Sequence, residues 1–227
     1  MAVPESVVVL FDVDTTLIDN DRIIDDLKRH IDQQLGARSR DHYFAIFEAL
    51  RSELGYADCL GALQRYRLED QCDPRLLAMS SFLVDYPCAD RLYPGALPVP
   101  THARTWGTTV ILSDGDLVFQ TSKVKRSGLW DADEGRVLIC VHKEEMLDNV
   151  ERHYPAGHYI MIDDKIRILT AMKEVWEDRS LPPSSCVKGI RRSISGTSHH
   201  IPSPTSLSRV SAVSSTATCA EHGNTRA

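Results

Sequence analysis

The chain predicts an α/β fold, a parallel Rossmann-like sheet with a helical insertion after its first strand. Short apolar runs recur at 7–11, 108–112, 136–141 and 158–162, and the later ones alternate with helical patterns. Between the first two runs, residues from about 20 to 90 carry apolar stripes at helical spacing and few strand signals. All four runs end at residues able to do chemistry, which is where open parallel sheets bind ligands.

The first run, Val7-Val8-Val9-Leu10-Phe11, has no polar break and reads as a strand buried on both faces. It stops at Asp12-Val13-Asp14-Thr15-Thr16. Two carboxylates beside a buried strand are stable together only if a cation or a proton is shared between them. The plain alternative is a solvated acidic turn. Asp19-Asn20-Asp21 then offers helix N-caps. Ile23, Leu27, Ile31 and Leu35 follow at helical spacing up to Gly36. Tyr43, Phe47, Leu50 and Leu54 form a second stripe up to Gly55, and Leu60, Leu63 and Tyr66 a third. These stripes are core-facing rather than cofactor-binding.

Tyr93-Pro94-Gly95-Ala96 turns the chain toward the strand Thr108–Leu112, which ends in Ser113-Asp114-Gly115-Asp116. A hydroxyl there, followed by glycine and capping acids, makes a phosphate-sized nest of backbone donors, although a simple N-cap has the same composition. A helix runs from Leu117 to Ser127, and its Lys123 and Lys125 read as solvated cations of a polar helix. After the strand Arg136–Val141, His142-Lys143-Glu144-Glu145 opens another helix, with acids in its first turn. The last run, His158–Ile162, ends in Asp163-Asp164-Lys165. A helix with Ile166, Leu169, Met172 and Trp176 follows.

Asp12-x-Asp14-x-Thr16, Ser113, Lys143 and Asp163-Asp164, in this order, resemble the four motifs of the haloacid dehalogenase-like (HAD) hydrolases. Thr15 departs from the pattern, standing where many members have glycine. The resemblance spans roughly residues 5 to 176. It implies that Asp12 is a nucleophile forming an aspartyl-phosphate and that Asp14 is the general acid and base. It also implies that Thr16, Ser113, Asp114 and Lys143 surround the phosphoryl group. Magnesium (Mg2+) would be held by Asp12, the backbone carbonyl of Asp14, and Asp163 or Asp164. Dehalogenases of the family lack an acid at the position of Asp14, so the resemblance implies a phosphatase. The segment 19–92 would be a helical cap inserted into a core made of 1–18 and 93–178.

A formal charge of −6 leaves no nucleic-acid footprint, and no apolar run is long enough for a membrane span. The six cysteines show neither a CxxC pair nor zinc spacing, so they read as reduced thiols of a cytoplasmic protein. The expected partner is a small phosphorylated metabolite, and nothing in the sequence speaks to oligomeric state. Residues 179–227 are rich in Ser and Thr and, beyond Trp176, hold no aromatic residue; they read as a disordered tail with no further core strand. The expected function is Mg2+-dependent hydrolysis of a phosphate monoester. The alternatives are a phosphotransferase or mutase of the same family, or an impaired binding module.

Overall fold

A computed structural model describes residues 6–69, 72–178 and 186–189. Strand β1 (Val7–Phe11) is followed by helices α1 (Asn20–Leu35), α2 (Ala37–Leu54), α3 (Cys59–Tyr66) and α4 (Arg75–Asp85). A 3-10 turn at Cys88–Arg91 and helix α5 (Pro98–Ala103) lead into β2 (Thr108–Asp114). Then come α6 (Leu117–Arg126), α7 (Leu129–Ala132), β3 (Val137–Cys140), α8 (Leu147–His153), β4 (His158–Asp163), α9 (Ile166–Asp178) and β5 (Cys186–Gly189).

The sheet has the order β3-β2-β1-β4-β5 and every pairing is parallel. β1 lies in the middle because it is apolar on both faces. Val9 and Phe11 pack into one core with Ile111 and the helices α1 to α4 and α6. Val8 and Leu10 pack into a second core with Val110, Leu112, Met161, Met172 and Trp176. Period-two alternation within a continuous apolar run therefore serves two layers of helices. Trp176 stacks on Tyr159 (centroids 5.2 Å apart) and donates its ring N–H to Glu151 (3.0 Å), which seals the second core.

The chain winds outward from β1 to β3, then returns to the other side of β1 with β4. The carboxyl ends of β1 and β4 thus flank the point where the winding reverses, the expected place for a ligand crevice. A hydrogen bond from the Asp12 N–H to the Ile162 carbonyl (2.9 Å) carries the pairing past the end of β1, so Asp12 lies beside Asp163.

The expectation that no core strand follows Trp176 is overturned. β5 pairs with β4 in register Ile160↔Cys186 to Asp163↔Gly189. The β4 edge is thereby covered. Edge strands bury little side-chain area and give a weak apolar signal. The rest of the expected tail, residues 179–185 and 190–227, lies outside the described residues.

Candidate active site

β1 ends by placing Asp12 at the carboxyl end of the sheet, only 1% exposed. Thr16, held by the turn in which the Leu17 and Ile18 N–H groups both donate to the Val13 carbonyl (2.9 Å each), donates its hydroxyl to Asp12 Oδ2 (3.1 Å). Thr16 is therefore an orienter of Asp12 in this structure. Thr15, in the same turn, has φ +66°, a left-handed conformation that is strained for a β-branched residue. The glycine common at this position in the family would relieve that strain.

Lys143 arrives from beyond β3. Its backbone N–H donates to Asp114 Oδ1 (2.7 Å), and the ammonium is wholly buried between Asp12 Oδ1 (2.5 Å) and Asp163 Oδ2 (2.6 Å). Asp114 thus holds the residue that bridges the carboxylates. Burial alone would depress the Lys143 pKa, but the two carboxylates outweigh it and hold the pKa well above the ordinary lysine value. Asp12 shows the opposite balance. Burial pushes its pKa up to about 7 against the pull of Lys143, and Asp163 and Asp14 push the same way. Burial and Asp163 likewise raise Asp164, and burial raises Asp114.

Asp12, Asp163 and Asp164 offer carboxylate oxygens that all lie within 4.8 Å of one another. Asp164 Oδ1 is buried with no hydrogen-bond partner among the described residues, while Asp163 Oδ1 accepts the Lys165 N–H (2.7 Å). One ammonium shared by such a trio leaves negative charge uncompensated. Hard oxygen donors at this separation fit magnesium. The Asp14 side chain is outside the trio.

Asp14 instead meets Lys123, which corrects the expectation of a solvated lysine. Lys123 is 2% exposed and donates to Asp14 Oδ1 (2.7 Å) and to Asn20 Oδ1 (3.0 Å). Lys125 is exposed, as expected, with its ammonium 4.8 Å from the Trp130 ring centroid. Helix α6 buries Phe119, Gln120, Lys123 and Val124 on one face. The signal was therefore present in the phase of the helix, where a glutamine and a lysine share an apolar stripe with Phe119 and Val124. Gln120, also missed, donates to the buried Ser113 hydroxyl (2.7 Å), which leaves that hydroxyl's own proton for another acceptor.

Asp14, Asn20, Asp114, Gln120 and Lys123 border a cleft of about 720 Å³ whose other wall is Ile24, Lys28, Phe47, Arg51 and Tyr56 from α1, α2 and the loop after α2. Gly55 closes α2 with φ +78°, and a Cβ there would run into the His142 ring. Only glycine lets the end of α2 approach the loop that carries Lys143.

The fold agrees with known structures. A protein from Burkholderia xenovorans LB400, described as a haloacid dehalogenase-like hydrolase, is 61% identical, with 78% of this chain and 82% of that chain covered and a TM-score of 0.73. A haloacid dehalogenase-like family hydrolase from Xanthomonas campestris shares the fold at 18% identity, covering 74% and 78% of the two chains, with a TM-score of 0.56. No protein-family profile matches the chain, and no curated protein matches it either. The chain belongs to the haloacid dehalogenase-like hydrolases.

Proposed function

We propose that this hydrolase cleaves a phosphate monoester of a small metabolite through a phosphorylated Asp12. The observation that carries the reading is Asp14, a second carboxylate two residues from Asp12 that borders the cleft, at the position where dehalogenases of the family have no acid. A carboxylate oxygen of Asp12 attacks phosphorus as the bond to the leaving oxygen breaks, and Asp14 gives that oxygen a proton. Asp14 then takes a proton from water, the water attacks phosphorus, and inorganic phosphate leaves with Asp12 restored. The Ser113 hydroxyl and the Lys143 ammonium hold phosphoryl oxygens, and the Lys143 charge pulls Asp12 toward its ionised form.

Asp12, Asp163 and Asp164 are the residues to hold Mg2+, whose bound charge offsets repulsion between the phosphate dianion and the nucleophile. Helices α1 to α4 serve in this reading as the cap, choosing substrates and excluding water. Among the described residues no helix is long and apolar enough to cross a membrane. The free thiols of Cys59, Cys72, Cys88 and Cys140 suit work in the reducing cytoplasm. The test is hydrolysis of an aryl phosphate with and without magnesium by the intact chain and by Asp12→Asn. Magnesium-dependent release of phosphate that vanishes in the variant is expected. Equal turnover by both proteins overturns the reading.

A further inference from the structure

Lys123 is the buried cation that the reaction above leaves without a task. We propose, resting on the phosphatase reading, that Lys123 is a positioning residue that holds Asp14 in the one orientation from which it protonates the leaving oxygen.

The geometry of the ammonium is specific. Asp14 Oδ1 accepts at 2.7 Å, Asn20 Oδ1 at 3.0 Å, and the Phe119 ring centroid lies 4.9 Å away. These partners satisfy the charge from three sides, so Lys123 stays charged at 2% exposure. Asp14 keeps 21% of its side chain exposed to the cleft, with Oδ1 tied behind it and its other oxygen left for the substrate. An aspartate on a turn has few atoms to pack. With Oδ1 released, its carboxylate is free to rotate away from the line of the breaking bond, and misplacement of an acid by about 1 Å is enough to cost roughly a hundredfold.

An ion pair that only stabilises the fold would behave differently. Buried pairs contribute little net stability, so stability alone gives no reason to tie this particular carboxylate. The Asn20 contact adds a second role, because Asn20 is the first residue of α1 and so joins the tether to the start of the helical segment.

Leaving-group dependence tests the idea. A nitrophenol leaves without needing a proton, whereas an alkyl alcohol cannot. The quantity to read is kcat/KM, which reports the steps up to departure of the leaving group and so the protonation itself. Lys123→Met and Asp14→Asn are each expected to lower kcat/KM by roughly a hundredfold or more on alkyl phosphates. On the most acidic nitrophenyl phosphates, Lys123→Met is expected to stay within a few-fold of the parent. The double variant is expected to lose no more than Asp14→Asn alone. A loss of equal size on every ester, or losses that multiply in the double variant, would make Lys123 a direct phosphate ligand or a purely structural residue and overturn the proposal. If Lys123→Met does not fold, Asn20→Ala carries the same test with a smaller selective loss. A crystal structure of either variant decides the matter independently of turnover, because an Asp14 carboxylate that has not moved refutes the tether. Turnover that survives Asp12→Asn would instead refute the phosphatase reading, and the Asp14 position would still report on the tether.

Discussion

Two acidic sites in this molecule, one partly exposed and one fully buried, are treated in opposite ways. In the helical segment, Asp26 is 13% exposed and receives the Tyr86 hydroxyl together with the Arg91 guanidinium, through Nε at 3.1 Å and Nη2 at 2.6 Å. Burial there would raise its pKa, but the Tyr86 and Arg91 hydrogen bonds outweigh it and hold the carboxyl below its usual range. At the strand ends, Asp12 shares a single ammonium with Asp163 beside Asp164, and its pKa rises to about 7. The helical acid is saturated with donors. The strand-end acids are short of positive charge. Saturation marks a group that holds structure, and deficit marks one that waits for a further cation.

The contrast breaks most sharply at Asp12. Asp12→Asn is expected to lower turnover by roughly four orders of magnitude or more, since it removes the nucleophile. Without metal, the same variant is expected to resist denaturant better than the parent, because it removes an under-compensated buried charge. Chemical denaturation beside an aryl phosphate assay checks both halves.

Magnesium addition sharpens the same side. At about a hundred times its dissociation constant it should stabilise the parent by about 2.7 kcal/mol, and much less in Asp163→Asn. Thermal melts with and without magnesium read this directly. The pH dependence of the metal-free protein has a defined sign. A carboxyl whose folded pKa is raised binds more protons folded than unfolded between about 4 and about 7, so its share of stability falls as pH rises through that window. Lys143, raised above its unfolded value, stays charged in both states there and adds no slope. Denaturation midpoints should therefore drop between pH 5 and pH 8 in the parent more than in Asp12→Asn.

On the helical side the signs reverse. Asp26→Ala is expected to cost about 1–2 kcal/mol through lost charged hydrogen bonds that are partly screened by solvent. Because the Asp26 pKa is lowered, its contribution is present above the ordinary carboxylate pKa and disappears as pH falls through the folded value. The variant should accordingly lose part of the acid limb of the stability curve. The smallest effect is expected at Thr15→Gly. Relief of the left-handed strain, less the entropy of a glycine, leaves a gain of about 1 kcal/mol in the same denaturation experiment.

The same contrast explains how much could be read before the fold was known. Asp12, Ser113, Lys143 and Asp163 each follow an apolar strand run, so the local pattern that builds the sheet also announces the site. Lys123 carries no such mark. Its partner Asp14 is 109 positions away, and only the phase of α6 sets it apart from the exposed Lys125. Asp26 was passed over for the same reason, since Tyr86 and Arg91 lie 60 and 65 positions downstream. The strand β5 was missed because Cys186–Gly189 contains one lysine, one glycine and little apolar side chain, and an edge position asks for no more. Thr16 and Asp114, both expected at the phosphate, hold Asp12 and the Lys143 backbone in this structure, contacts that span 4 and 29 positions.

The most direct measurement follows the nucleophile itself. Asp14→Asn, incubated with magnesium and a nitrophenyl phosphate, should form the phosphorylated protein readily, since that leaving group needs no proton, and should hydrolyse it slowly for want of a base. Mass spectrometry after acid quenching is predicted to find the phosphoryl group on Asp12 and to find none in the Asp12→Asn, Asp14→Asn double variant. A phosphoryl group on another residue, or release of phosphate at the parent rate by the double variant, would contradict the account.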